Sequence, residues 1–516
     1  MDDSTDDKES GNPLATVLSG GILVSGSKVI ALGFGFLTQI VMARLLTESA
    51  YGDVVLALAV VGVGTLVATL GLDDGLMREF PKYEDDTRKA RGVARAGLVI
   101  SVVAGAIVGT AVFFASPLFA SWVFRDPSLT SLIRIAALGI PFMVLKNNSV
   151  ALARGARDAK PHAIVDQLVQ PAARVLLIGG LVLAGFEAAG AVTGQIGAIF
   201  LASVLAVYLA MRLLPSLRGP SVPMYRSVLA FSLPLIAVQG MGLLNSQLDV
   251  YMLGYFLASA RVGVYNIALQ LGNLLVAVLA TVAFLLPPVL TRLKEEDRQG
   301  EMLATYQGLT KWMVLLALPV FTVLFFAPKL VINLLFGESY TDGYVTLRIL
   351  LLGNLFGILA GLNTNALIAM GESRLVSYIV FVQVLVNFSM NLTLIPIFGI
   401  EGAAIALAGA TVVGDTLGSV LLYKRYRLHP VSSSVMLPFG LLSVFAGIGY
   451  TIAWYFAIPT WAVIVLIGLG YPIITVRYAL EPQDEELLSL FESKADIELP
   501  YIRDIIRVMN GYTIFK

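Results

Sequence analysis

The stretch Arg134-Ile-Ala-Ala-Leu-Gly-Ile-Pro-Phe142 returns 214 residues later as Arg348-Ile-Leu-Leu-Leu-Gly-Asn-Leu-Phe356, with five of nine positions identical. Each copy opens an apolar segment that ends in a short glycine turn, Ala153-Arg154-Gly155 and Ala369-Met370-Gly371, 216 residues apart. A third echo pairs Leu46, Gly52, Ala57 and Leu58 with Leu257, Gly263, Ala268 and Leu269, offset by 211. Three echoes in one order and near one offset indicate an internal duplication, whereas chance matches among Leu-rich and Gly-rich segments would scatter.

Around this repeat the 516-residue chain is 57% hydrophobic and 14% charged, with a mean hydropathy of +0.83. That is more apolar surface than a water-soluble core can hide, so the chain belongs in a bilayer. Fourteen apolar stretches are long enough to cross a hydrocarbon layer of roughly 30 Å. Spans one to six run Leu18 to Leu45, Val54 to Leu72, Val93 to Leu118, Leu129 to Leu152, His162 to Ala184 and Ala188 to Leu213. Spans seven to twelve run Val228 to Leu253, Val264 to Leu290, Gly308 to Leu335, Tyr344 to Met370, Tyr378 to Ile397 and Gly402 to Tyr423. Two more, Val435 to Phe456 and Trp461 to Val476, follow the duplicated part.

The predicted fold is therefore all-α: a polytopic membrane protein with two six-helix lobes and two added C-terminal helices. The expected order is an acidic tail over 1–15, lobes over 16–215 and 216–428, the added helices over 429–478, and an amphipathic tail over 479–516. Six spans separate the two copies of the Arg134 stretch, an even number, so both copies cross in one direction and the repeat is parallel. By analogy with such folds, spans one, two, seven and eight are expected to line a cavity between the lobes.

The even-numbered connections carry 20 Lys and Arg residues, and the opposite ones hold Arg44, Arg125, Arg261 and Lys329. By the positive-inside rule both termini are expected in the cytoplasm. The tail Met1 to Pro13 lacks the positive flank of a cleavable signal, so span one is expected to stay as a membrane helix. The tail after span fourteen, with Asp484, Glu485 and Arg503 among Leu487, Phe491 and Ile505, reads as amphipathic helices at the membrane face.

Several kinds of chemistry are excluded. There is no cysteine, and the two histidines, His162 and His429, lie in polar connections. Thiolate chemistry, a histidine metal centre and a Ser-His-Asp triad therefore have no residues to use. No Gly-Lys dipeptide exists to build a phosphate-cradling ATPase loop. Charge balances at 35 basic and 35 acidic residues, which gives nucleic acid no patch. The short outer loops leave no room for the external domain of a membrane glycosyltransferase. No catalytic residue, metal or cofactor is expected.

The informative residues are then ionisable groups inside apolar segments, each costing at least about 2.5–3.5 kcal/mol at a helix centre. Lys28, Lys146 and Arg174 are candidate contacts for an anionic substrate. Asp166 precedes Arg174 by eight residues and could neutralise it. In the second half Asn245 and Asp249 share a face of span seven, with Gln239 and Gln247 nearby, and Asp415 stands in span twelve. These are candidates for gating or for a coupling cation; the alternative is that neighbouring Asn and Ser satisfy them. Asn363, Asn365, Asn387 and Asn391 suit interhelical hydrogen bonds better than contacts to sugar hydroxyls. Gly353, Gly357 and Gly361, like Gly414 and Gly418, suit close helix packing. Arg134 and Arg348 are expected to fix helix ends.

Ala43-Arg44-Leu45-Leu46 with Tyr51-Gly52 after span one matches Gly254-Tyr255-Phe256 with Val262-Gly263-Val264-Tyr265 after span seven, and Gly399-Ile400-Glu401-Gly402-Ala403-Ala404 joins spans eleven and twelve. With these motifs in this order, most of residues 15–425 resembles the polysaccharide-biosynthesis flippases of the multidrug, oligosaccharidyl-lipid and polysaccharide exporter superfamily. The resemblance implies a two-lobed carrier that moves a lipid-linked oligosaccharide, on a polyprenyl or dolichyl phosphate or pyrophosphate, from the cytoplasmic to the outer leaflet. It also implies membrane lipid and the pathway's glycosyltransferases as partners, and basic cavity residues holding the phosphate, a position that Lys28 fits. A cation-coupled drug or metabolite antiporter of the same superfamily is the alternative.

Overall fold

The computed structural model describes residues 30–83, 85–213, 219–283 and 286–432, with isolated positions as far as Thr451. Lys28, the acidic tail, most of spans thirteen and fourteen and the amphipathic tail lie outside the described residues. The first lobe comprises α1 (Ile30–Leu45), α2 (Glu48–Thr69), α3 (Leu72–Glu79), α4 (Thr87–Leu118) and α5 (Leu129–Ala137). It continues through α6 (Ile140–Gly155), α7 (Lys160–His162), α8 (Gln170–Leu181) and α9 (Glu187–Leu213). The second lobe begins with α10 (Tyr225–Ser232), α11 (Leu235–Phe256), α12 (Ser259–Ala283), α13 (Leu286–Glu295) and α14 (Gln299–Phe326). It ends with α15 (Pro328–Leu335), α16 (Tyr344–Leu359), α17 (Asn363–Ala369), α18 (Ser373–Phe398) and α19 (Ile400–Tyr426).

Among the described residues eight helical stretches are long and apolar enough to cross a membrane, or nine if the bent pair α10 and α11 is one span. The protein is thus a multi-pass α-helical membrane protein; the described residues hold fewer than the fourteen expected spans, two of which lie mostly outside them. Part of the shortfall is bookkeeping: the continuous stretch Lys160–Leu213 holds spans five and six, which part where Gly185 and Glu187 take positive φ.

The breaks inside spans are physical. Span four divides at Leu138 and Gly139, because Pro141 at the head of α6 cannot donate back into α5. Span ten runs on through the matching positions, where Leu355 replaces the proline, and breaks at Gly361, whose φ of 83° favours glycine. Span nine stops at Phe326 rather than Leu335: Ala327 leaves helical geometry before Pro328, and a separate helix follows. Span seven bends by 43° between α10 and α11, at Leu233 and Pro234.

The lobes meet tightly at the end that carries the α1–α2 and α11–α12 turns. There α2 and α12 cross at Gly52 and Gly263, the pair singled out by the repeat. A Cβ on Gly52 would sit 1.8 Å from the Ser259 carbonyl oxygen and 3.2 Å from the Gly263 nitrogen. A Cβ on Gly263 would sit 2.6 Å from the Glu48 carbonyl oxygen and 3.3 Å from the Gly52 nitrogen. Glu48 stands to Gly52 as Ser259 stands to Gly263, so each helix meets the other through the same residues and the repeat axis passes between the glycines. Without a water-driven hydrophobic force inside a bilayer, such backbone approach through small residues is what holds helices together.

At the opposite end, among the described residues, the lobes touch chiefly through the head of span seven, where a Cβ on Gly71 would sit 2.3 Å from the Ser232 carbonyl oxygen. The second-lobe element that packs on the first lobe there is α10, which lies against α3 and α4, while α13 and α17 pack on each other. Glu372 fastens this end within the second lobe, accepting from the Tyr426 hydroxyl at 3.0 Å and from Arg425 at 2.5 Å. Those two donors hold its carboxyl below the usual range. The cleft between the lobes therefore opens toward the α3 and α13 end and is shut at the α1–α2 end.

Candidate functional site

The shut end is sealed by side chains from both lobes. Tyr51, fully buried, places its hydroxyl 2.8 Å from Gln39 Oε1 and 2.8 Å from Asn266 Oδ1. A phenol donates one proton, so one of the two amides presents its NH2 group instead. The Tyr51 ring meets Tyr340 edge-on at 5.9 Å, and Phe36 meets Phe336 at 5.8 Å. Arg44, from α1, donates to the carbonyls of Asn333, Leu334 and Leu335 at the end of α15. Arg125 reaches Tyr255.

Arg134 and Arg348, the repeated arginines, fix helices as expected. Arg134 Nε donates to Ser116 Oγ at 3.2 Å and lies over Phe113; Arg348 Nε donates to the Phe325 carbonyl at 2.9 Å and lies over Phe325. The two copies thus repeat one structural device.

In the first lobe the structure separates residues that the sequence suggested might pair. Lys146 is buried at 6% exposure and donates to Asp166 Oδ1 at 2.5 Å and Gln170 Oε1 at 2.9 Å. The other Asp166 oxygen lies 2.9 Å from His162 Nδ1. Asp166 is therefore the partner of Lys146 and His162, not of Arg174, and Lys146 is spent inside the lobe rather than offered to an anion. The reason is local: Arg174 stands two turns, about 12 Å, along the axis, whereas Lys146 and His162 reach the Asp166 carboxylate directly.

Arg174 is left in a different state. Its Nε is buried, and no hydrogen-bond partner serves it among the described residues. Its helix α8 packs on α9 and touches α1 where Gly179 faces Val41. Arg174 is half-buried, and a guanidinium nitrogen left without a partner in an apolar segment is costly, which marks a place where an anion would be stabilised.

The second lobe holds the complementary feature. Asp249 on α11 is 4% exposed, and its Oδ1 accepts from Asn391 at 2.7 Å and Asn387 at 3.0 Å, both on α18. Asn391 Oδ1 is buried without a donor, and the Tyr265 hydroxyl beside the carboxylate also lacks a well-formed bond. The two asparagines thus serve the carboxylate and are not free for sugar. Three oxygen-bearing side chains, Asn387, Asn391 and Tyr265, surround the Asp249 charge, and with their amides turned they supply the oxygen ligands that hard cations take. No cluster of three or more His, Cys, Asp or Glu exists among the described residues to hold a transition metal. Asn245, one turn away on α11, is exposed.

Asp415 sits deeper in the second lobe, where the missing side chain of Gly357 makes room for its carboxylate, and Asn363 donates to its backbone carbonyl at 3.0 Å. The helix-ten glycines work as packing surfaces: a Cβ on Gly353 would lie 2.7 Å from Ala408. Sequence reasoning overlooked Asp73 and Asp74 on α3, which receive Gln239 from α11 across the cleft. It also overlooked Glu79, which takes Ser227 of α10 at 3.0 Å. Their signal in the sequence was an acidic cluster read as loop.

The chain is 25% identical over 224 residues to the probable low-salt glycan biosynthesis flippase Agl15 of Haloferax volcanii, covering 43% of this chain and 46% of that protein. It is 27% identical over 244 residues to the probable flippase AglR of the same organism, covering 46% and 48%. It thus spans about half the length of these curated relatives. Among solved structures, the lipid II flippase MurJ in an inward closed conformation superposes with a TM-score of 0.69 at 13% identity, over 88% of this chain and 99% of that one. An inward-facing multidrug resistance transporter of the MATE family superposes with a TM-score of 0.63 at 17% identity, over 80% and 98%. These two likenesses concern the fold. With residues 41–345 matching the family model described as polysaccharide biosynthesis protein, the chain belongs to that family.

Proposed function

We propose that this chain is a flippase that carries a lipid-linked oligosaccharide from the cytoplasmic to the outer leaflet of the cell membrane, for surface glycan or protein N-glycan assembly. The observation that carries this reading is Arg174, a half-buried cation whose buried Nε has no hydrogen-bond partner among the described residues, in a two-lobed membrane fold of the polysaccharide biosynthesis family. The phosphate or pyrophosphate of a polyprenyl or dolichyl carrier is the anion it would hold, with Lys28 on the adjoining first span as the second contact. The protein acts as a carrier rather than an enzyme. Glycosyltransferases of the same pathway supply the saccharide, and membrane lipid surrounds its tail. The names of the relatives favour this over a cation-coupled drug or metabolite antiporter, whose fold is shared.

In cells lacking the protein, completed lipid-linked saccharide is expected to persist on the cytoplasmic leaflet; absence of the completed species would point to an assembly enzyme. In a transport assay with purified protein, Arg174→Met is expected to slow translocation about ten- to a hundredfold, the worth of a hydrogen bond to a charged group. Arg174→Lys should keep part of the rate. Full transport by a well-expressed Arg174→Met protein would remove Arg174 from the site.

Orientation belongs to the same proposal. Arg44, Arg125, Arg261 and Lys329 lie at the shut end, whereas Arg78, Lys82, Arg88, Lys89, Arg91 and Arg95 are among the basic residues at the open one. The open end accordingly faces the cytoplasm, with both termini there. The cysteine-free chain makes the test direct: single cysteines at Thr87 and Gly300 should escape an impermeant thiol reagent in intact cells and react once the cells are opened. Labelling of both in intact cells would reverse the assignment.

Asp249 is proposed as the coupling-cation site of this carrier, with Asn387, Asn391 and Tyr265 as the other oxygen donors. Among the described residues Asp249 has amide partners and no cationic side chain, which suits neutralisation by a proton or a small cation while it stays buried. A gating pair between Asp249 and Arg174 is not part of this proposal, since the bonds of Asp249 go to Asn387 and Asn391 of its own lobe.

A further inference from the structure

The shut end has two straps, placed at matching positions of the repeat but built differently. With Leu46 matching Leu257, Arg44 matches Tyr255. Arg44 projects from the end of α1 to the last turn of α15, where Nε donates to the Leu335 carbonyl at 3.1 Å. Its Nη2 donates to Asn333 at 3.0 Å and Leu334 at 2.5 Å. These are the final carbonyls of a helix and carry the negative end of its dipole; the Asn333 oxygen also accepts from the backbone N–H of Gly337 at 3.1 Å. A guanidinium satisfies several at once with charge-assisted bonds. At the matching strap the guanidinium comes from the facing loop: Arg125 lies over the Tyr255 ring at 5.0 Å and donates to its hydroxyl at 3.3 Å.

We infer that Arg44 is the latch of the shut end, and that its hold on α15 sets how often the cleft opens on that side. Three observations favour a latch over a structural brace. The contact joins the two lobes, so it must break whenever they part at this end. Arg44 is solvent-exposed, so on release its charge is hydrated rather than stranded in the membrane. Its acceptors run into a turn at Gly337, with φ of 112°, where the backbone can shift without bending a helix. The Arg125 strap, with one long hydrogen bond to a phenol, is the weaker of the two, so the shut end is held asymmetrically although the fold around it is symmetric.

This inference rests on the carrier reading only in requiring that the lobes move. Spin labels at Ser128→Cys and Ser339→Cys, exposed positions in the shut-end loops of the two lobes, would report the separation by pulsed dipolar spectroscopy of the purified, lipid-reconstituted protein without substrate. In the otherwise native chain one short distance should dominate. Arg44→Ala should raise the population of a longer distance roughly tenfold or more, the equilibrium worth of a bond to a charged group. Arg44→Lys, which can reach one carbonyl, should fall between, and Arg125→Ala should change the distribution less than Arg44→Ala does. An unchanged distribution in folded Arg44→Ala protein overturns the latch, and so does a larger effect from Arg125→Ala. Failure of both Arg44→Ala and Arg44→Lys to fold overturns it as well, because a latch can be lost while the fold is kept. If the distances shift as expected while no lipid-linked saccharide is carried, the latch stands and the substrate reading fails.

Discussion

Gly52→Ala is expected to lower the thermal unfolding midpoint of the purified protein more than alanine at most other glycines. The added methyl would lie 1.8 Å from the Ser259 carbonyl oxygen, and that atom is backbone, so no side-chain rotation relieves the collision. Either α2 and α12 move apart or the carbonyl is displaced, and overpacking of this kind costs about 1–3 kcal/mol or more. Gly263→Ala should do less, because its methyl meets the Glu48 carbonyl at 2.6 Å. The double variant should cost less than the two singles combined, since one displacement accommodates both methyls. By contrast Gly300→Ala, with nothing within 4 Å, should be neutral. A Gly52→Ala protein as stable as its parent would mean that the crossing spreads freely and is not the joint of the two lobes.

Asp249→Asn is expected to separate stability from function. The carboxylate is buried in a membrane helix with amide partners and no cationic one among the described residues, so removing its charge should leave the unfolding midpoint unchanged or raised. Transport should instead lose its response to an imposed sodium or proton gradient. A coupling free energy of about 1–3 kcal/mol corresponds to roughly 5- to 150-fold in that response. Proteoliposomes loaded with a fluorescent lipid-linked saccharide, with each gradient imposed in turn, would measure it. If the variant remains gradient-driven, Asp249 is a packing residue and the coupling site lies elsewhere.

Much of this was legible in the chain. The paired glycines were marked by their offset before any coordinate placed them, because a duplication keeps residues that both halves need. What periodicity could not convey was that the two glycines face each other rather than occupy equivalent but separate sites. The asparagines at 387 and 391 could be read as hydrogen-bonding residues, and they are; that Asp249 is what they bind is a relation across 138 residues, invisible to spacing. The expected pairing of Asp166 with Arg174 failed because Lys146, twenty residues earlier on another helix, takes the carboxylate, a contact between helices that spacing along one helix does not show. Arg44 was counted as one of four stray basic residues, and its acceptors are backbone carbonyls, which leave no trace in residue identity.

The crossing at Gly52 and Gly263 has the form of an isologous contact, the kind by which two identical subunits join about a two-fold axis. Residue 52 meets the counterpart of residue 48, and the counterpart of residue 52 meets residue 48. A half-length chain able to make this joint would have paired with a copy of itself inserted in the same direction, because the repeat is parallel. The joint therefore needs no covalent link between its halves, and a chain divided within the connection from α9 to α10 and expressed as two pieces should reassemble around those glycines.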